Sequence, residues 1–216
     1  MKRIQKNAIT ASRPLTRRQL QAIQTKNKIY DTAIKVINKY GYENITVEDI
    51  TNEAHVAKGS FYNYFPTKEA LILYTFQQSD AIYEVVYAKV CNEPFLTQIS
   101  DFIRLSYEQY EKRGKGIIKA IISNYFSYQE FNFYGNDRSL IKCLTKIIQT
   151  GQKAGMVTNN MPSSQLVMPL LSTLIGVEVL WCMNTEPCSL SEMAVTAVME
   201  TVTGILKPKD RVGGGQ

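Results

Sequence analysis

From Thr25 onward apolar residues recur at helical spacing: Ile29, Ala33, Val36, Ile37 and Tyr40 fall at i, i+4, i+7, i+8 and i+11. Gly41 closes this segment, because glycine tolerates the backbone of a helix C-terminus best. Thr46 then opens a short helix with Val47, Ile50 and Ala54 on one face. Asp49, three residues on, makes a capping box with Asp in place of Glu. A break at His55–Val56 leads into a third helix, Lys58 to Phe65. Pro66 stops it, since the residue before a proline avoids the helical region. Thr67, followed by Glu69 and Ala70, starts a fourth helix of roughly twenty residues, an ordinary globular length.

Helical stretches recur at about 95–112, 116–133, 138–154, 163–184 and 190–206, separated by Gly-, Pro- and Asn-bearing breaks. Strand-like alternation is scarce, and Met156–Asn160 is too short and polar to support a sheet. The predicted fold is all-α: an N-terminal three-helix helix-turn-helix domain over 22–70 and a C-terminal helical domain over 71–208. Residues 1–21, polar and basic with Pro14, read as a flexible arm, and 209–216 as a disordered tail.

Composition narrows the class. With 216 residues, 44% hydrophobic and 20% charged, the chain is neither disordered nor collagen-like and is long enough to bury a core. Its net charge of +6 is unevenly placed. Residues 1–68 hold twelve Lys/Arg against five acids, a balance of +7, while residues 69–216 balance at −1. That asymmetry fits a polyanion-binding segment on a near-neutral body; on charge alone a basic solubility tail fits equally. Cys91, Cys143, Cys182 and Cys188 form no C-x-x-C pair and read as reduced thiols, with a redox sensor as the alternative. No signal peptide is seen. The most apolar stretch, Leu166 to Met183, carries Pro169 and Glu178, which reads as a buried helix and not a membrane span. A cytoplasmic protein is expected.

Two short helices joined by a tight turn form a helix-turn-helix pattern over Thr46–Leu71. With Phe61 and Phe65 inward, Gly59, Ser60, Tyr62 and Asn63 face outward. Hydroxyls, one amide and one missing side chain suit close approach to base edges and phosphates in a major groove. Lys58 and Lys68 flank this face and can neutralise phosphates, and Thr46 marks a helix N-terminus that suits phosphate as well.

The run Lys58-Gly59-Ser60-Phe61-Tyr62-Asn63-Tyr64-Phe65, followed by Lys68-Glu69-Ala70-Leu71, resembles the DNA-binding domain of the TetR family of bacterial transcriptional regulators. This resemblance covers roughly residues 25–75; beyond it only the general helical layout is similar. It implies a homodimer that binds double-stranded, palindromic operator DNA, with a C-terminal pocket for a small-molecule effector and no cofactor or metal. By the same resemblance Thr46 and Lys68 are phosphate contacts, and Lys58, Gly59, Ser60, Tyr62, Asn63 and Tyr64 belong to the recognition helix. Two residues depart from the family pattern: His55 stands where the turn usually has Gly, and Ala57 where Ser or Thr is common. His tolerates positive φ, whereas the lost hydroxyl cap at Ala57 costs about 0.5–2 kcal/mol of helix-start stability.

The other expectations are looser. Arg13, Arg17 and Arg18 either enter a neighbouring minor groove or only raise non-specific affinity. Residues 74–134 are rich in aromatics that can line a pocket between helices. Arg104, Tyr107, Tyr128 and Trp181 are the ligand candidates, with Arg104 and Tyr107 paired at i, i+3 for an acidic or polar ligand. Glu178 either counters a cationic ligand or caps a dimer face. Wide apolar faces over 163–184 and 190–206 (Leu166, Leu170, Leu174, Val177, Leu180 and Trp181; Met193, Ala194, Ala197, Val198, Thr201 and Ile205) predict a four-helix dimer seam. An effector that alters the spacing of two recognition helices would release DNA, giving a repressor, with an activator or a protein-binding adaptor as alternatives. Catalysis is not expected: the single His lies in a turn, and no phosphate-binding glycine loop is present.

Overall fold

The computed structural model describes residues 15–127, 135, 137–158 and 160–207. These form α1 (Arg17–Tyr40), α2 (Val47–Glu53), α3 (Lys58–Tyr62), α4 (Lys68–Val90), α5 (Phe95–Glu111), α6 (Lys115–Ser123), α7 (Ser139–Lys153), α8 (Ser163–Met183) and α9 (Leu190–Thr203). Short 3₁₀ turns occupy Tyr42–Asn44 and Tyr125–Ser127. The only β feature among the described residues is one antiparallel bridge, Val157 to Leu206. The architecture is all-α, as the spacing predicts.

Helix α1 begins at Arg17 and not at Thr25. Thr16 and Gln19 form a reciprocal capping box, with the Thr16 amide donating to Gln19 Oε1 at 2.8 Å and the Gln19 amide to Thr16 Oγ1 at 3.3 Å. Leu15, Leu20 and Ile23 on this first stretch are exposed, so no apolar stripe marks it in the sequence. Residues 17–21 therefore belong to the helix and not to an arm, and Arg17 and Arg18 with them. Arg13 and the segments 1–14 and 209–216 lie outside the described residues.

The N-terminal core is made by Ile29, Ala33 and Ile37 of α1, Ile50 of α2, and Phe61 and Phe65, all buried. Phe61 and Phe65 sit with ring centroids 5.6 Å apart. Thr46 and Asp49 cap α2 in both directions, as the sequence predicts. The predicted third helix ends early, at Tyr62. The amides of Tyr64 and Phe65 both turn back to the Phe61 carbonyl, at 3.0 and 2.9 Å, which tightens the chain and swings Phe65 into the core before Pro66.

Helices α4 to α9 form the C-terminal bundle. Within the stretch predicted as one helix over 116–133, α6 ends at Ser123, where Asn124 turns its side chain back to the Ala120 carbonyl at 2.8 Å. A 3₁₀ turn follows at Tyr125–Ser127, and residues 128–133 lie outside the described residues. Likewise α9 stops at Thr203, where the chain turns to bridge Leu206 with Val157. By length and composition α8 is apolar enough to cross a membrane. Leu166, Leu170, Leu174 and Trp181 nevertheless pack one face of it into the bundle. All four cysteines are free thiols, and burial pushes Cys143 and Cys182 up to about 11, so both stay protonated at neutral pH.

The two halves meet where the end of α1 lies against the start of α6. Asn38 clamps the junction: its amide group donates to the Arg113 carbonyl at 2.7 Å, and its carbonyl accepts the Ile117 amide at 3.2 Å. Asn38 thereby supplies, from another helix, the N-terminal cap that α6 lacks locally. The approach is close enough to require glycine at 116, where a Cβ would lie 2.8 Å from Asn38 Cα and 2.9 Å from the Ile37 carbonyl oxygen. Arg113, just before α6, adds bonds to the Tyr30 hydroxyl at 3.1 Å and to the Thr75 carbonyl at 3.0 Å.

Candidate DNA-reading face and ligand cavity

The turn between α2 and α3 is built around His55, the one non-glycine residue with positive φ (50°) among those described. Its amide donates to the Asn52 carbonyl at 3.1 Å, and the next amide, of Val56, to Thr51 at 3.0 Å. Ala57 starts α3 without any side-chain cap, as its methyl group dictates. With Phe61 wholly buried, Gly59, Tyr62 and Asn63 are exposed and Ser60 half-buried. Tyr62 lies edge-on to Phe61, ring centroids 5.6 Å apart, which steadies its hydroxyl above the face. A Cβ on Gly59 would meet nothing within 4 Å, so packing does not require glycine there. Tyr64, grouped with these residues in the sequence, instead packs half-buried against the core.

The two flanking lysines are more engaged than the sequence suggests. Lys58 pairs with Glu48 of α2, which holds that carboxyl below its ordinary value. Lys68 donates to the carbonyls of Tyr42 (3.0 Å) and Ile45 (2.9 Å), with its ammonium 4.1 Å from the Tyr42 ring centroid. It thus ties the start of α4 to the loop before α2, leaving one of its three N–H bonds for a phosphate. Thr46 Oγ1, likewise, is occupied by its cap with Asp49. The positioning of the face is therefore internal, and the contacts most open to DNA are Gly59, Ser60, Tyr62 and Asn63.

In the C-terminal bundle a cavity opens between α4, α5, the Tyr125 turn, the start of α7, and α8. About 50 Å³ of it is open to the centre of a water-sized sphere. Its wall includes Phe76, Ser79, Tyr83, Tyr107, Tyr110, Tyr125, Arg138, Leu171, Leu174 and Glu178. Glu178 is the polar centre. Tyr107 donates to Glu178 Oε1 at 2.7 Å, and the Tyr125 hydroxyl also bonds this carboxyl. Burial pushes the carboxyl up to about 7, only partly offset by those two hydroxyls. The phenols of Tyr83, Tyr107 and Tyr110 are raised by the same burial and stay protonated as donors. Arg138 is bound at the wall to Asp80 (2.8 and 2.9 Å) and stacks on Phe76, 4.0 Å from its ring centroid.

Of the three ligand candidates among the described residues, only Tyr107 lines this cavity. Arg104 does not share a site with it: it pairs at the surface with Glu192 of α9, while Tyr107 points inward. Residues three apart lie about 60° from each other around a helix, so with Tyr107 facing the core Arg104 falls at the edge of that face, at the surface. Trp181 packs under Lys115, its ring N–H donating to the Cys188 carbonyl at 2.9 Å, away from the cavity. Tyr128 lies outside the described residues, as do Phe131, Phe133 and Tyr134. The residue the sequence left open, Glu178, is the one the cavity is built around. Tyr83 belongs to the aromatic-rich stretch expected to line a pocket, whereas Ser79 carried no sequence signal beyond helical spacing. Among the described residues no group of three or more His, Cys, Asp or Glu is placed to hold a metal.

The seam residues need correction too. Leu166, Leu170, Leu174, Val177, Trp181, Ala194 and Val198 are buried within one chain. Of the predicted seam residues on α8, Leu180 stays exposed at 60%, flanked by Met168 and by Met183 at 73%, while Met193, Ala197, Thr201 and Ile205 are half-buried.

Residues 29–75 match the signature described as bacterial regulatory proteins, tetR family. Over 206 residues the chain is 22% identical to the probable acrEF/envCD operon repressor of Escherichia coli (strain K12), covering 91% of this chain and 93% of that protein. Among solved structures it is similar to SmeT, the repressor of the Stenotrophomonas maltophilia multidrug efflux pump SmeDEF. The TM-score is 0.65 at 15% identity, over 88% of this chain and 94% of that one. It is also similar to FadR of Bacillus subtilis in complex with stearoyl-CoA, with a TM-score of 0.65 at 19% identity over 83% and 98% of the chains. At these identities the structural likeness establishes the fold.

Two expectations follow. Gly59→Ala adds a methyl group that touches nothing in the protein, and alanine favours a helix by about 1 kcal/mol. The variant should be at least as resistant to urea as the wild type yet bind DNA more weakly; equal DNA affinity would place Gly59 away from the contact. For Glu178 the folded-state value lies above the ordinary 4.5. Its contribution to stability is therefore fully present below about pH 4.5 and is lost as pH rises through about 7. Relative to wild type, Glu178→Gln should gain stability between about pH 5 and about pH 8, by up to about 3 kcal/mol. A difference in unfolding free energy that does not change with pH would contradict the burial of an uncompensated carboxyl.

Proposed function

We propose that this chain, a member of the tetR family of bacterial regulatory proteins, is an effector-responsive transcriptional repressor acting in the cytoplasm as a homodimer on palindromic operator DNA. The observation that carries the reading is the division of labour along the molecule. An exposed face of small, neutral, hydrogen-bonding groups stands on a basic N-terminal third. A largely apolar cavity with a polar centre at Glu178 lies in the other half, and the Asn38 clamp joins the two. Major-groove reading needs the first, and effector control needs the second and third.

The dimer is assigned to α8 and α9. A stripe of Met168, Ser172, Gly176, Leu180 and Met183 lies outward along α8, and a Cβ on Gly176 would meet nothing within 4 Å. Such a face, small in the middle and apolar at both ends, admits the close approach of a two-fold-related copy. Two recognition helices would then stand about one DNA turn apart, a spacing sensitive to small rotations of each N-terminal domain. Effector binding changes the packing of α4 and α5 around the cavity. Arg113 follows directly on α5 and bonds α1 and α4, so a shift there reaches α1 through Asn38.

A mobility-shift assay with the DNA upstream of the protein's own gene tests this reading. A sequence-specific complex is expected, weakened about tenfold or more by Tyr62→Ala or Asn63→Ala, the scale of one lost base contact. Helix content should be unchanged in both variants, since neither side chain is buried. Absence of a specific complex, or wild-type affinity in both variants, would overturn it.

A further inference from the structure

We propose that the cavity takes a small organic cation, a primary ammonium or comparable protonated amine, with Glu178 as its counter-charge. This rests on the reading of the protein as a regulator, which gives the cavity an effector to hold.

Among the described residues two charged groups of opposite sign face the cavity, Glu178 and Arg138. Arg138 is already neutralised: Asp80 accepts from Nε at 2.8 and 3.1 Å and from the second guanidinium nitrogen at 2.9 Å, and its flat face is covered by Phe76. An anionic ligand would have to displace Asp80 and would meet the Glu178 carboxylate besides. Glu178 has no such partner. It is 6% exposed, and its described polar contacts are the hydroxyls of Tyr107 and Tyr125, which donate hydrogen bonds but carry no charge. No Lys or Arg stands within ion-pair distance of it among the described residues. When Glu178 is ionised, the described wall of the cavity therefore holds one negative charge in excess.

A buried carboxylate without a cation is costly, and a cation arriving with its own hydrogen-bond donors removes that cost. Ser79 supplies a second pointer. Its hydroxyl lines the same cavity, is 2% exposed, and has no hydrogen-bond partner. An ammonium group brings three donors, and the cavity offers the carboxylate, the Ser79 hydroxyl and the tyrosine oxygens as acceptors. The electron-rich faces of the tyrosine rings also favour a cation over a neutral group. The leucines of α8 face the carbon chain of the ligand.

The test uses the full chain and three probes of one shape and different charge: n-butylammonium chloride, n-butanol and sodium butyrate, titrated calorimetrically at constant ionic strength. The ammonium is expected to bind at least tenfold more tightly than the alcohol, and butyrate more weakly than either. Glu178→Gln should reduce the ammonium preference to threefold or less, whereas Arg104→Ala, at the surface, should leave it within twofold. Butanol or butyrate binding as tightly as the ammonium, or no ammonium binding at all, would overturn the assignment; the wild-type protein decides this even if Glu178→Gln does not fold. A preference that survives in folded Glu178→Gln would overturn it equally. Binding is read without DNA. Lost ammonium preference beside an intact operator complex therefore removes the cation and leaves the regulator, and the reverse result supports the site while removing the regulator.

Discussion

The clamp that Asn38 places on the start of α6 is the contact on which the rest of the molecule turns. One side chain at the end of α1 satisfies a donor and an acceptor of the segment that begins α6, at 3.2 and 2.7 Å. Gly116 lets the two backbones approach until no Cβ fits between them. Polar groups at a helix end must be satisfied somewhere, and here the satisfaction comes from the other domain. Displacing α6 relative to α1 therefore leaves the Ile117 amide without its partner, so the two halves are coupled by more than chain connectivity.

Around that joint the energetics differ on the two sides. The DNA-reading side is held by capping boxes, an aromatic core and a lysine that ties the start of α4 to the loop before α2, so its geometry is set before DNA arrives. The cavity side is left electrically incomplete. Its carboxylate is buried against hydroxyls, one of its serines has no partner, and its one guanidinium is already paired. A rigid reader joined to an unsatisfied sensor is the arrangement in which a small ligand has the largest differential effect, because its binding energy is realised against groups that nothing else fulfils.

Much of this was legible in the sequence, and the exceptions have physical reasons. Capping at Thr46 and Thr67 and the inward Phe61–Phe65 pair are local signals, and each appears in the structure as read, whereas the third helix ends at Tyr62, before Pro66 can act as its stop. The start of α1 escaped because its first turns are exposed on all sides, so hydrophobic period carried no information and only the Thr16–Gln19 box marked it. Lys68 looked like a free phosphate ligand; its engagement with Tyr42 and Ile45 depends on a tertiary approach that spacing does not encode. The ligand residues were hardest. Arg104 and Tyr107 are neighbours in helical register yet point to opposite environments, and only the packing of α9 against α5 decides which is surface and which is core. Glu178 stood out as a charge in an apolar helix, but its role needed Tyr107 and Tyr125 from two other elements to be seen.

The coupling through Asn38 is tested most directly by operator affinity, measured by anisotropy of a labelled duplex with and without saturating effector, in the wild type and in Asn38→Ala. Effector is expected to weaken DNA binding of the wild type by at least tenfold. In the variant, which retains the cavity and the reading face but not the clamp, that ratio should fall toward one. A variant that folds, binds both ligands and responds to effector as strongly as the wild type would contradict it.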